Sequence, residues 1–396
     1  MAKQSKSKNS PAYAVETELV IGGRDPQHSY GFVNTPIVRG STVLSQTVAE
    51  LEAHAGRYTY GRRGNPTTEG LEDALTQLEG SAGVVLTPSG LSAVSIALLS
   101  VLGSGDHLLM VDTAYQPTRR VCDVVLKRYG IETTYYDPLI GADIAGLLRP
   151  NTRAIFMESP GSQSLEVQDV PAIVAVAAER GICTLIDNTW ATPLFFRPHD
   201  AGVDLSIQAG TKYLGGHSDL NIGTISGNAR VFGRLKATHG DLGITVAPED
   251  AYLAARGLRT MAVRLARHQE SGLAIARWLA GRAEVLRVLH PALPDDPGHS
   301  LWKRDFKGAS GLFSFILKPV PKAAVDGFLD ELELFGLGFS WGGFESLAIP
   351  FDCTPYRTAT RWQPGGPAIR VHIGLENTDD LIADLTRGFA RLATLS

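Results

Sequence analysis

From residue 83 onward, short apolar runs alternate with stretches of helical spacing. Gly83 to Thr87 reads as a strand and Leu91 to Leu102 as a helix. After the turn Gly103-Ser-Gly-Asp106 comes the strand His107 to Asp112, then a helix over Thr118 to Tyr129 and a strand over Glu132 to Tyr136. Arg153 to Glu158 is another strand. Asp169 to Arg180 is a helix with an acidic cap at Asp169 and a proline, Pro171, in its first turn. Cys183 to Asp187 and Val203 to Gln208 are strands, and Asn221 to Gly227 adds one more. This alternation predicts an α/β fold: a mostly parallel sheet, seven strands by this count, covered by helices on both faces. Ligands then gather at the carboxyl ends of the strands, where Ser89, Asp112, Glu158 and Asp187 fall.

The flanks differ from this middle. Up to about Gly56 there is little periodicity: Glu16 to Gly31 reads as extended and irregular, and Thr42 to Glu52 includes a short helix. A stretch that cannot form its own core must lie on another surface, in the same subunit or a neighbouring one. After the central region, Pro248 opens a long helical stretch to about Gly281. The strands Val285 to Leu289, Gly311 to Lys318 and Ala368 to Ile373 follow, with helices over Lys322 to Leu332 and Asp379 to Leu392, giving a smaller α+β domain. The expected division is an extended segment over 1–60, a large domain over 61–256 and a small domain over 257–396.

Composition narrows the function. A chain of 396 residues can bury a large core, and a net charge of −4 without a basic excess argues against nucleic acid or an acidic membrane surface as partner. No apolar run approaches a membrane span. Met1 to Ser10 is polar and basic with no apolar segment behind it, so it reads as a disordered tail and not a secretory signal. Cys122, Cys183 and Cys353 lie far apart, which argues against a disulfide framework or a zinc site and fits a reducing cytoplasm.

Several stretches carry chemistry. Lys212 stands among small residues in Gly210-Thr-Lys-Tyr-Leu-Gly-Gly216, just after an apolar run. An imine-forming lysine needs room and an apolar setting; an ordinary solvated lysine does not. Asp187 ends another apolar run, where it is either an acid for a ring nitrogen or a plain strand-end hydrogen-bonder. Pro88-Ser-Gly-Leu91 joins a strand to a helix, which is a helix cap or a seat for one phosphate. It lacks the dinucleotide and Walker patterns. Tyr60-Gly-Arg-Arg63 sets an aromatic ring and two guanidinium groups beside glycines, and Tyr115 follows a strand end. Arg370 and His372 share one face of the strand Ile369-Arg-Val-His-Ile-Gly374, where an inward arginine would clamp a carboxylate.

Together these describe one site: a phosphate seat, a stacking ring, an acid, an imine lysine and a carboxylate clamp. The motifs Tyr60-Gly-Arg, Pro88-Ser-Gly, Asp112-Thr-Ala-Tyr115, Glu158-Ser-Pro160, Asp187-Asn-Thr189, Thr211-Lys-Tyr213 and Arg370-Val-His-Ile-Gly374 appear in the order of the Cys/Met-metabolism group of fold-type I enzymes dependent on pyridoxal 5′-phosphate (PLP), which the chain resembles from about Thr35 to Phe389. Within the group, Glu158-Ser-Pro-Gly-Ser162 and Phe339-Ser-Trp-Gly-Gly-Phe-Glu-Ser346 are similar to those of the bacterial cystathionine β-lyases.

The resemblance implies a PLP-binding large domain of that fold with a smaller C-terminal domain. It implies PLP bound to Lys212 as a Schiff base, with Ser89, Gly90, Leu91 and Thr211 at the phosphate, Tyr115 on the ring face and Asp187 at the ring nitrogen. Tyr60 and Arg62 would reach the phosphate of a neighbouring subunit in a homotetramer built as a dimer of dimers. Arg370, with Ser340 and Trp341 nearby, would hold the substrate α-carboxylate, and Arg63 the distal carboxylate. Thr59 stands where the group's lyases carry a bulky aromatic residue, which leaves the distal pocket open.

The implied reaction is α,β-elimination of L-cystathionine to homocysteine, pyruvate and ammonia in methionine biosynthesis. Lys212 would act as base and Lys212 or Tyr115 as acid; Tyr115, if ionised, would also take a proton from the substrate amine. Rival readings are γ-lyase, γ-synthase, a broad cysteine-conjugate lyase, a racemase side activity, a silent binding protein on this fold and, without a dinucleotide loop to support it, a nicotinamide dehydrogenase.

Overall fold

A computed structural model describes residues 13–396; the polar stretch from Met1 to Ser10 lies outside them. Among the described residues, eleven strands form two sheets. The first seven are β1 (Gly83–Thr87), β2 (His107–Val111), β3 (Glu132–Tyr136), β4 (Thr152–Glu158), β5 (Cys183–Asp187), β6 (Leu205–Ala209) and β7 (Gly223–Gly227). Their spatial order is β1-β7-β6-β5-β4-β2-β3. The pairs β2/β3, β2/β4, β4/β5 and β5/β6 are parallel, while β7 runs antiparallel to both neighbours. The predicted seven-stranded, mostly parallel sheet is therefore present. β1, β2 and β7 are buried along their whole length, as expected where helices cover both faces of a sheet.

The second sheet holds β8 (Val285–Leu289), β9 (Leu312–Leu317), β10 (Leu347–Phe351) and β11 (Ala368–His372) in the order β10-β11-β9-β8, all antiparallel. It packs its own core of Phe313, Phe315, Phe328, Ile369 and Phe389. The 20-residue helix Met261–Ala280 serves both halves. Its N-terminal Met261 and Leu265 belong to a core beside the large sheet, and its Ile275, Ala276 and Leu279 belong to the core of the small one.

Several sequence expectations need correction. Val15–Ile21 is helical where an extended chain was expected; its Leu19 is buried against the helix Pro66–Glu79 and gives the turn a partner. That 14-residue helix was not predicted. Asn65 caps it by accepting from the N–H groups of Thr67 and Thr68, Pro66 opens it, and Leu71, Leu75 and Leu78 form its buried stripe. The long helix expected from Pro248 is two helices, Pro248–Arg259 and Met261–Ala280, and the expected boundary at residue 256 falls inside the first. The helix expected over 118–129 is a short α-helix, Gln116–Arg120, followed by a wider π-helical turn, Val121–Leu126. The helix Phe232–Asp241 and strand β10 were also missed.

Two connections tie the halves together beside the cavity described next. Trp190 Nε1 donates to the carbonyl of Leu312 at 2.9 Å. The fully buried Asp112, just past β2, accepts from Arg119 at 2.9 Å and from the N–H groups of Thr358 and Thr360, both at 2.9 Å. Burial opposes the charge of Asp112, but these donors hold its carboxyl below the ordinary value.

Candidate active site

The parallel strands deliver their carboxyl ends to one cavity of about 430 Å³ between the two sheets. β1 leads into Ser89, whose side chain accepts from the N–H of Ser92 at 3.1 Å and starts the helix Gly90–Val101. The N–H groups of Gly90 and Leu91 open that helix and have no partner within it. Glycine is required at 90: a Cβ there would stand 2.5 Å from the Cβ of Ala209, at the end of β6. β2 leads into Tyr115, half exposed on the cavity wall. β4 and β5 end on Glu158 and Asp187, which face each other in register. β6 runs into Thr211 and Lys212, and the small sheet contributes Arg370 from β11 together with Ser340 and Trp341.

The electrostatics separate the two neighbouring acids. Burial raises the Glu158 carboxyl well above the carboxylate range, and the adjacent Asp187 raises it further; its one opposing contact is the Tyr115 N–H, at 2.8 Å. Burial also raises Asp187, but the hydroxyl and N–H of Thr189, at 2.5 and 3.0 Å, and the nearby Lys212 pull it back. Asp187 is thus the acid better prepared to carry a charge, and Glu158 the one kept protonated.

Lys212 Nζ lies 2.6 Å from Ser340 Oγ and 5.4 Å from the Trp341 ring. Burial, then the charge of Arg370, lowers its pKa to about 8, against the pull of Asp187. Burial also lowers Arg370, to about 10, and its guanidinium donates to the Ser340 carbonyl at 3.0 Å. Tyr115 is pushed up by burial, with Arg370 opposing. This direction opposes the reading of Tyr115 as an ionised base: the phenol keeps its proton.

Of the residues singled out from sequence, Ser89, Gly90, Leu91, Tyr115, Asp187, Thr211, Lys212, Ser340, Trp341 and Arg370 line this one cavity. Tyr60, Arg62 and Arg63 do not. They line a separate hollow formed by residues 43–63. There Arg62 donates to the Gly240 carbonyl at 3.0 Å, and Arg63 lies 4.0 Å from Asp241. The sequence places Glu158 at the ligand end of the strands but gives it no role, although an acid closing an apolar strand beside Asp187 is a usable signal. Sequence reasoning missed Tyr356 and Gln163, which line the wall from irregular segments that have no periodic signature.

The cavity suits a flat phosphorylated pyridine. The unpartnered N–H pair of Gly90 and Leu91 fits a phosphate, the Thr189-bonded Asp187 fits a ring nitrogen, and an amine of lowered pKa lies in the same cavity. The profile of the Cys/Met metabolism PLP-dependent enzymes matches residues 16–390. The chain belongs to that family. It is 47% identical over 392 residues to the cystathionine β-lyase of Salmonella typhimurium, covering 96% of this chain and 98% of the relative. The same figures describe its match to the cystathionine β-lyase MetC of Escherichia coli K12. The crystal structure of cystathionine γ-synthase from Xanthomonas oryzae pv. oryzae in complex with cystathionine superimposes with a TM-score of 0.89 at 34% identity, covering 97% of this chain and all of that one. The cofactor of the family is PLP, and the chain is a PLP-dependent carbon–sulfur lyase of this family with the family's fold.

The lowered pKa of Lys212 has a measurable consequence. Only an unprotonated amine attacks an aldehyde. With a pKa of about 8, the free amine is roughly a tenth of the lysine at pH 7 and about half at pH 8. Uptake of PLP by the PLP-free protein should therefore quicken about five-fold between pH 7 and 8 and level off above about pH 9. Stopped-flow absorbance reads this directly. A rate still rising ten-fold per pH unit at pH 9 would mean an ordinary lysine.

Proposed function

We propose that the chain is a cystathionine β-lyase that cleaves L-cystathionine to homocysteine, pyruvate and ammonia, a step of methionine biosynthesis. The reading is carried by the convergence of Lys212, Asp187 and Arg370 on one cavity, in a chain similar nearly end to end to enzymes of that activity.

When bound, PLP supplies the electron sink that makes Cα–H acidic and lets the Cβ–S bond break. The protein supplies the rest. Arg370 pairs with the α-carboxylate and fixes the face from which Cα is approached. Lys212, held at Ser340, takes the Cα proton and returns it to the departing sulfur, so that no net proton is consumed in the cleavage. Asp187 would hold the proton of the ring nitrogen. Tyr115, held in place by its N–H bond to Glu158, would cover the ring and is a second proton donor for the sulfur.

The active unit in this reading is a dimer, paired into a homotetramer that is a dimer of dimers. Residues 13–60 expose Tyr30, Phe32, Leu44, Val48 and Leu51, with Tyr30 92% and Leu44 85% accessible, an apolar surface suited to a second copy. Tyr60, Arg62 and Arg63 lie at the end of this arm and outside the cavity of their own chain, so they would complete the cavity of the neighbour. The three cysteines are free and buried, which supports a reducing compartment such as the cytoplasm. No helix among the described residues is long and apolar enough to cross a membrane.

The decisive experiment supplies L-cystathionine to the purified yellow protein. Pyruvate and homocysteine are expected. 2-Oxobutyrate in their place would move the reading to γ-cleavage, and a protein that cannot take up PLP would overturn it. The shared site has its own check. Arg370→Ala should raise KM by about 100-fold through loss of a buried charge pair, and Arg62→Ala should weaken cofactor retention. Unfolding and refolding the two variants together should restore activity that neither has alone, because a mixed dimer holds one intact site. Absence of any recovery would place Arg62 outside the neighbour's cavity.

A further inference from the structure

β11 sets Arg370 and His372 on one face, and both side chains reach the segment that faces Lys212. Arg370 donates to the carbonyl of Ser340, and the N–H of Gly342 donates to His372 Nε2 at 3.0 Å. The chain between these two bonds is strained. The strain sits at Ser340, whose φ of +89° lies in the left-handed region that side chains avoid; Gly342, at φ +86°, occupies the same region freely because it has no side chain. At Gly342 a Cβ would stand 2.9 Å from the Lys212 carbonyl carbon and 2.9 Å from the Tyr213 nitrogen, so the segment lies directly on the backbone of the reacting lysine. From this strained turn Ser340 Oγ meets Lys212 Nζ at 2.6 Å.

The hydrogen bonds around His372 admit one arrangement. Because a backbone N–H can only donate, Nε2 must be the unprotonated nitrogen. Nδ1 then carries the proton and donates to the Glu345 carbonyl at 3.1 Å. The ring thus holds the segment at two points, Gly342 and Glu345. Tyr213 and His268 pack beside it, with ring centroids 5.9 and 5.1 Å away. The imidazole is fully buried. Burial, then His268, lowers its pKa well below the usual value, so the neutral form with one acceptor nitrogen persists.

We propose that His372 is a positioning residue for Lys212: its neutral imidazole accepts the Gly342 N–H and donates to Glu345, and so holds the strained Ser340–Gly342 turn that orients the reacting amine. The inference rests on the reading of Lys212 as that amine. It adds a residue with no contact to substrate or cofactor, and it assigns one nitrogen to each task.

Two substitutions separate the tasks. In His372→Gln, the side-chain oxygen reaches the place of Nε2 and can still accept from Gly342. In His372→Asn, the side-chain amide reaches only the place of Nδ1, so Glu345 keeps its donor and Gly342 loses its acceptor. Leaving a buried N–H unpaired costs the equivalent of about ten-fold in a rate or equilibrium. The expectation is that His372→Asn lowers kcat about ten-fold with little change in KM, while His372→Gln stays within about three-fold of the parent.

Hydrogen–deuterium exchange on the PLP-free protein gives a readout independent of turnover. The amides of 340–342 should exchange faster in His372→Asn and near the parent rate in His372→Gln. If the parent fails to cleave cystathionine while the exchange pattern holds, the proposed function fails and the positioning role stands. Equal activity and equal exchange in the two variants would overturn the role. Should neither variant fold, the ¹⁵N shifts of His372 in the parent decide: a protonated Nδ1 with a bare Nε2 supports it, and a protonated Nε2 overturns it.

Discussion

Lys212→Ala is expected to lower pyruvate formation from L-cystathionine by at least about 1,000-fold, because under the proposed function it removes the covalent anchor of the cofactor and the base at Cα together. The purified variant should also lack the yellow colour of lysine-bound PLP. The geometry leaves no stand-in. Tyr115 keeps its proton because burial raises its phenol. Glu158 is itself held protonated. Arg370, although lowered to about 10, remains a cation at neutral pH. The half-buried Lys212 amine, lowered to about 8, is the group in the cavity that can act as a base near neutral pH. Steady-state assay of pyruvate with an absorbance spectrum checks both parts, and normal elimination in the variant would remove Lys212 from the mechanism.

Asp187→Asn should lose about 100- to 1,000-fold in kcat while PLP remains bound, since the proposed phosphate seat at Gly90 and Leu91 is untouched. The carboxylate is oriented by Thr189, whose hydroxyl and N–H occupy Oδ1 and leave Oδ2 for the ring nitrogen. An amide fits the same space but brings no charge to hold a ring proton. The neighbouring acid is the natural control. Glu158→Gln keeps an oxygen for the Tyr115 N–H and replaces a group that is already neutral, so its loss should be far smaller. Equal losses at 158 and 187 would show that the two acids are not divided as the electrostatics divide them. Single-turnover measurements on the two variants give the comparison.

The large sheet was legible in the chain because its inner strands are buried on both faces, and burial leaves continuous apolar runs such as Ala154 to Met157, bounded by Arg153 and Glu158. The ligand end was legible for the same reason: Ser89, Glu158, Asp187 and Lys212 all follow such runs. Pro66–Glu79 was harder, since Gly70 and five acidic or amide residues dilute its apolar stripe, although Asn65 and Pro66 marked its start. β10 was hidden by Pro350, a residue that argues against strand in any sequence and is tolerated here because β10 is the edge of its sheet. What periodicity could not show is distance across the fold. Nothing near His372 in sequence points to Gly342, thirty residues earlier. Likewise nothing near Tyr60 says that its own cavity lies elsewhere.

The helix Met261–Ala280 has a consequence for how the molecule comes apart. Its first turns complete one apolar core and its last turns another, and Asp112 and Trp190 fasten the two halves a second and third time. Neither sheet can therefore melt without stripping a face from the other, and heat or denaturant meets one cooperative unit instead of two separable ones. The cavity lies on the seam of that unit, so its walls are as durable as the whole protein and no more so.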